Sequence, residues 1–113
     1  MIRNFCTFFD KNYLTRGLVL YYSMIEHCGN FVLWILCADE ESFSLLNKMN
    51  LKRVNLLKIA EVEDDRMRAI RSSRSYIEYI WLFGSQLPLY LLNKIGIDMI
   101  TYIDADTRFY YSP

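Results

Sequence analysis

Neither sign of charge is in excess in this chain: thirteen Lys and Arg balance thirteen Asp and Glu. A formal net charge of zero removes the electrostatic case for nucleic acid or an anionic membrane surface, so any partner must be read from local sites. Long apolar runs are also missing. Lys11, Arg16, Glu26, Asp39 and the charged run after Val62 interrupt every stretch that approaches membrane-spanning length. The N-terminus opens with Arg3 and a strand-like run instead of the apolar core and small-residue cleavage site of a signal peptide. Cysteine is scarce and has no pairing pattern. Cys6, Cys28 and Cys37 are an odd number, form no C-x-x-C and fall inside apolar segments, which predicts buried free thiols in a reducing compartment. These absences point to a cytoplasmic protein. Internal repeats, low-complexity tracts and linkers are absent too, so the 113 residues read as one domain or part of one.

What is present is apolar and aromatic. A 53% hydrophobic fraction beside 23% charged residues excludes a disordered tail and suits a globular protein. There are nine Tyr and seven Phe, several of them crowded into FCTFF, LYYSM and RFYYSP, more large apolar surface than a small domain needs. Phe8, Phe9, Tyr21, Tyr22, Tyr76 and Tyr79 are assigned to the core or to surface that packs on further chain. Glu78 and Trp81 are likewise assigned to packing.

The pattern along the chain predicts alternating strands and helices. Ile2 to Phe9 reads as a strand buried on both faces. Leu14, Leu18, Tyr21, Tyr22 and Ile25 form a helical stripe over Tyr13 to His27, closed by Gly29 at the stop position. Phe31 to Ala38 is a second strand, and Asp39 is placed to N-cap a helix running to about Met49. Val54 to Ile59 is a third, weaker strand. Glu61 to Arg74 reads as a solvated loop or short helix, and Ser75 to Asn93 as a helix broken near SQLP by Gly84 and Pro88. Met99 to Ile103 forms the last strand. This order argues a parallel sheet covered by helices on both faces, in which ligands bind beyond the carboxyl ends of the strands.

Polar groups gather on that rim: Asp10, Asn12 and Tyr13 after the first strand, Asp39 after the second, Asp104 and Asp106 after the last. Two carboxylates one residue apart repel each other and need donors or a cation. Hard dications such as Mg²⁺ and Mn²⁺ suit carboxylate oxygens, and Mg²⁺ commonly takes one or two carboxylates plus phosphate oxygens. A D-x-D alone is weak, since Asp-rich turns are common. Here the pair lies between the apolar MITYI and the aromatic TRFYYSP, not in a long polar loop. An aromatic ring at the first strand's end can stack on a nucleobase, an interaction of roughly 1–3 kcal/mol, while an Asp or Asn side chain pairs with the base edge. The single histidine, His27, falls near the end of the first helix, at the far end of the sheet from these residues, and reads as a C-terminal residue favoured by the helix dipole.

A first strand running into T-x-F-D-x-N-Y (Thr7 to Tyr13) and a later Y-I-D-A-D-T-x-F-Y-x-x-P (Tyr102 to Pro113) resemble the nucleotide-sugar-binding half of a GT-A fold glycosyltransferase. They are similar to glycosyltransferase family 8 and its uncharacterised bacterial relatives. The intervening RSSRSYIEYIWLFGSQLPLYLL resembles the stretch before the D-x-D strand, so the likeness covers nearly the whole chain in order. It implies a Rossmann-like, mostly parallel sheet flanked by helices, with residues 1–113 as the N-terminal nucleotide-sugar-binding portion, cut after the D-x-D strand. It further implies a UDP-sugar donor with Mn²⁺ or Mg²⁺. Asp10, Asn12 and Tyr13 would hold the uracil, Asp104 and Asp106 the metal, and Arg74 or Arg71 the diphosphate. Such enzymes continue into a half that supplies the acceptor pocket and further catalytic groups. No catalytic residue is therefore assigned, the acceptor is open, and a missing C-terminal half or an oligomer is expected to cover the exposed sheet edge and surplus aromatics. Two other readings stand beside this one: a receiver-like Mg²⁺-binding signalling module, and a truncated fragment without activity.

Overall fold

The continuous apolar runs become strands because both of their faces are covered. The computed structural model describes residues 2–106, apart from the side chains of Tyr76 and Ile77. Strands β1 (Arg3–Phe9), β2 (Phe31–Cys37) and β3 (Val54–Lys58) send alternate residues to opposite sides. Phe5 and Phe9 of β1 and Phe31, Leu33, Ile35 and Cys37 of β2 pack with Leu20, Tyr21, Met24 and Leu46. These come from α1 (Leu14–His27) and α2 (Glu40–Met49), which form one helical layer. Cys6, Leu36 and Leu57 point the other way, onto Val62, Met67, Tyr79, Phe83 and Leu87. That second layer consists of α3 (Ile59–Val62), α4 (Asp65–Ile70), α5 (Tyr76–Trp81) and α6 (Phe83–Tyr90), continued by a π-helical turn at Leu91–Ile95. The result is the expected α/β fold, a parallel sheet between helices. All three cysteines are free and buried, and burial raises the thiol pKa of Cys6 and Cys37 to about 12.

All four strands are parallel, in the order β3-β2-β1-β4, where β4 is Thr101–Tyr102. The chain steps outward from β1 through β2 to β3, then returns to place β4 on the other side of β1. That reversal opens a crevice at the carboxyl ends of β1 and β4. The order also removes the receiver-like reading, because flavodoxin-like sheets set strand three beside strand one. Here β3 pairs with β2 and β4 occupies that place.

Several local expectations need correction. The charged run takes the short-helix alternative and stays mostly exposed, with one exception among its charges. It folds into α3 and α4, and Glu63 between them is buried, receiving Arg71 Nη1 at 3.2 Å, Arg68 Nε at 3.4 Å and the Tyr79 hydroxyl. A buried carboxylate survives only with such partners. Burial, then the hydrogen bond to Glu63 and its charge, raise the Tyr79 pKa to about 12. The break expected at SQLP falls at Leu82 instead, and Pro88 lies inside α6. The final strand is shorter than Met99 to Ile103, although the Ile103 N–H still donates to the Cys6 carbonyl at 2.9 Å. Of the aromatics assigned to core or surface, Phe9, Tyr21 and Tyr79 are buried and Tyr22 is exposed on α1. The side chain of Tyr76 lies outside the described set, as does the tail of the second motif from Thr107 to Pro113. Among the described residues, no helix is long and apolar enough to cross a membrane.

One glycine fixes how closely α1 approaches the sheet. A Cβ added at Gly17 would meet Cε2 and Cζ of the Phe9 ring at 2.5 Å, and that ring is itself buried. Gly17→Ala should therefore lower the urea midpoint. Overpacking costs about 1–3 kcal/mol, which outweighs the helix-propensity gain of roughly 1 kcal/mol. A raised midpoint would show that the ring is free to move aside.

Candidate functional site

The parallel pairing of β1 with β2 is in register from Arg3↔Phe31 to Phe9↔Cys37, so both strands end together. On the other side the register Cys6↔Tyr102 brings Asp104, two residues on, level with the last residues of β1. The segments beyond these ends enclose a cavity of about 820 Å³, within the range of small-molecule sites. Asp10, Asn12 and Tyr13 line it from one loop, Asp104, Ala105 and Asp106 from another, and Ile80, Trp81 and Gly84 from α5 and α6. Five sequence-predicted residues thus meet in one place.

The loop after β1 is held by its neighbours. Asp10 Oδ1 accepts the Asn12 N–H at 2.9 Å and so N-caps a 3₁₀ turn over Lys11–Tyr13. The Lys11 N–H donates to Asp39 Oδ2 at 3.0 Å, and the Ala38 N–H to the Phe9 carbonyl at 3.0 Å. Asp39 is also the N-cap of α2, its Oδ1 accepting the Ser42 N–H at 2.9 Å, as the sequence predicted. One carboxylate therefore joins the loops after β1 and β2. Burial alone would raise the Asp39 pKa, but hydrogen bonding by Ser42 and the Lys11 N–H, with the Lys11 charge, holds it below the ordinary value. Tyr13 is 47% exposed, and the Arg16 guanidinium lies 5.1 Å from its ring centroid.

The far wall is acidic and open. Asp104 and Asp106 are both exposed, and among the described residues neither has a hydrogen bond or ion pair. Tyr102 beside them has its pKa raised to about 12, by burial first and then by the Asp104 charge. The cavity lining holds three carboxylates and no Lys, Arg or His among the described residues. No group of three metal-binding side chains occurs among the described residues, and the donors that the β4 loop presents to the cavity are Asp104 and Asp106. That set fits Mg²⁺ or Mn²⁺ shared with phosphate oxygens and water, and does not fit an all-protein cage.

The arginines expected at the site lie elsewhere. Arg71 is engaged by buried Glu63, and Arg74 sits 3.9 Å from Glu78 on the surface; neither lines the cavity. His27 ends α1, 3.5 Å from Glu26, on the opposite rim. Trp81 departs from its assignment to packing, being 73% exposed on the cavity wall. Its position on α5 gave no sequence signal, because the break that ends that helix beside the cavity was expected further on.

No family model matches the chain. Over its whole length it is 28% identical to the uncharacterized protein YfnF of Bacillus subtilis (strain 168), and over 97% of its length 24% identical to the uncharacterized protein YfnD of the same organism. It spans 38% and 36% of the lengths of these two relatives. Among solved structures, the apo structure of the bifunctional glycosyltransferase WbbM matches 98% of this chain and 20% of its own at a TM-score of 0.60 and 23% identity. That likeness establishes a shared fold.

The Asp39 staple makes a pH-dependent prediction. Losing an N-cap costs about 1 kcal/mol, so Asp39→Ala should lower the urea midpoint at neutral pH, with Asp39→Asn intermediate. A carboxyl whose folded pKa is depressed contributes stability above its unfolded pKa, near 3.8, and loses it as pH falls through the folded value. The gap between the wild type and Asp39→Asn should close in acid. A gap that persists there would refute the role of the charge.

Proposed function

We propose that this chain forms the nucleotide-sugar-binding part of a metal-dependent glycosyltransferase that uses a UDP-sugar donor. One observation carries the reading: the loops after β1 and β4, brought together by the reversal of strand order, supply an aromatic ring, an amide and three carboxylates to a single cavity. The fold shared with part of a bifunctional glycosyltransferase supports it.

The ring of Tyr13 stacks on uracil, on the face away from Arg16, while the Asn12 amide and the Asp10 carboxylate read the base edge. Asp10 retains Oδ2 for this, since only Oδ1 is used in the turn. An anionic diphosphate entering a cavity lined by carboxylates would be repelled unless a cation stood between them. Asp104 and Asp106 hold Mn²⁺ or Mg²⁺ in that position. The chemistry this ion supplies when bound is neutralisation of the charge that builds on the departing UDP. Arg71 and Arg74 do not line the cavity and are given no role at the diphosphate. The acceptor and the groups at the anomeric carbon are not assigned to residues 2–106.

Two titrations with UDP test the assignment. With Mn²⁺ present, Asp104→Asn combined with Asp106→Asn should abolish the metal-dependent part of binding without changing the circular dichroism spectrum or melting temperature; undiminished binding would exclude the metal role. Tyr13→Ala should weaken UDP binding about tenfold with or without metal, the order expected of one stacked base. An unaltered affinity would remove the stacking contact.

A further inference from the structure

We infer that Trp81 is the platform for the donor's hexose, its indole face lying against the apolar face of the pyranose ring. The inference rests on the nucleotide-sugar reading and adds the part of the donor beyond the diphosphate. Trp81 is among the most exposed large apolar side chains described, at 73%, yet it stands on an anchored helix. Ser75 and Glu78 cap the N-terminus of α5 with a capping box, and two residues before Trp81 the Tyr79 hydroxyl donates to buried Glu63, which Arg68 and Arg71 also hold. Fraying of a helix end therefore does not account for the exposure.

Space has been left beside the indole. Gly84, in the first turn of α6, follows Trp81 by three residues across the Leu82 break, and both line the cavity. A Cβ at Gly84 would meet only the Phe8 ring, at an ordinary 3.8 Å, and packing does not require glycine there. The bare position widens the cavity next to Trp81.

Chemistry separates the two aromatic walls. Tyr13 belongs to the turn leading into α1, on one side of the sheet, with Asp10 and Asn12 beside it to read a base edge. Trp81 belongs to the layer of α5 and α6 on the other side, where its lining neighbours Ile80 and Gly84 carry no hydrogen-bonding side-chain group. A wall of this kind suits C–H groups. The faces of a hexopyranose present such groups, and the electron-rich face of an indole attracts them. A donor with its base on Tyr13 and its diphosphate at Asp104 and Asp106 has its hexose left to place, and of the other aromatic side chains lining the cavity Trp81 is the most exposed, at 73% against 37% for Tyr102.

The test compares UDP with UDP-glucose, UDP-galactose and UDP-N-acetylglucosamine by calorimetry on the whole chain with Mn²⁺. At least one UDP-hexose should bind the wild type more tightly than UDP. Trp81→Ala should weaken that UDP-hexose about tenfold, the order of one aromatic stacking contact, and UDP by less than about twofold. Its melting temperature should be unchanged, since the side chain is mostly in solvent. Equal losses for UDP and UDP-hexose would put the indole on the base and overturn the inference. Unaltered affinities, or a wild type that binds no UDP-hexose better than UDP, would overturn it as well. A wild type that fails to bind UDP at all would refute the nucleotide-sugar reading itself, a result visible before any variant is made.

Discussion

The parallel pairing of β1 on both of its edges is the constraint from which the rest follows. With β2 on one side and β4 on the other, β1 becomes the axis about which the strand order reverses. Each crossover must pass over a face of the sheet, so helices accumulate on both sides and bury most of the two central strands, β1 and β2. What cannot be buried is the carboxyl end, where the two directions of winding part. Asp10, Asn12 and Tyr13 are there because they follow β1, and Asp104 and Asp106 because they follow β4.

Electrostatics gives that crevice its character. The described lining is acidic and has no cationic side chain to balance it. The positive charges next to the lining loop are committed, Lys11 Nζ to Glu41 at 3.1 Å and Arg16 to the Tyr13 ring, and Arg68 and Arg71 are held by Glu63 away from the cavity. An acidic pocket in a chain of zero net charge favours a cation, and an anionic ligand enters such a pocket only with one. In the proposed reading the carboxylates act on the phosphates through the ion they share, and Asp39, by fixing the Lys11 N–H, keeps the base-binding turn at the edge of the same space.

Much of this was legible in the sequence. Continuous apolar runs gave β1, β2 and β3 because strands buried on both faces lack a polar alternation, and Gly29 and Asp39 marked a helix end and a helix start through local backbone chemistry. The residues that were misplaced depend on tertiary contacts. Glu63 looked solvated among so many charges, and only the fold brings Arg68, Arg71 and Tyr79 around it. Pro88 suggested a break that the chain makes at Leu82 instead, which is why Trp81 emerges beside the cavity. The pairing of Arg71 with Glu63, eight residues apart, likewise has no signature in spacing.

The central claim is that the loops after β1 and β4 form one site. Backbone amide resonances of the isotopically labelled chain, followed while UDP is added with Mg²⁺, test it most directly. The account predicts that residues 10–13 and 104–106 shift together, with one saturation curve. Shifts confined to one loop, or spread over the opposite rim around His27, would contradict it.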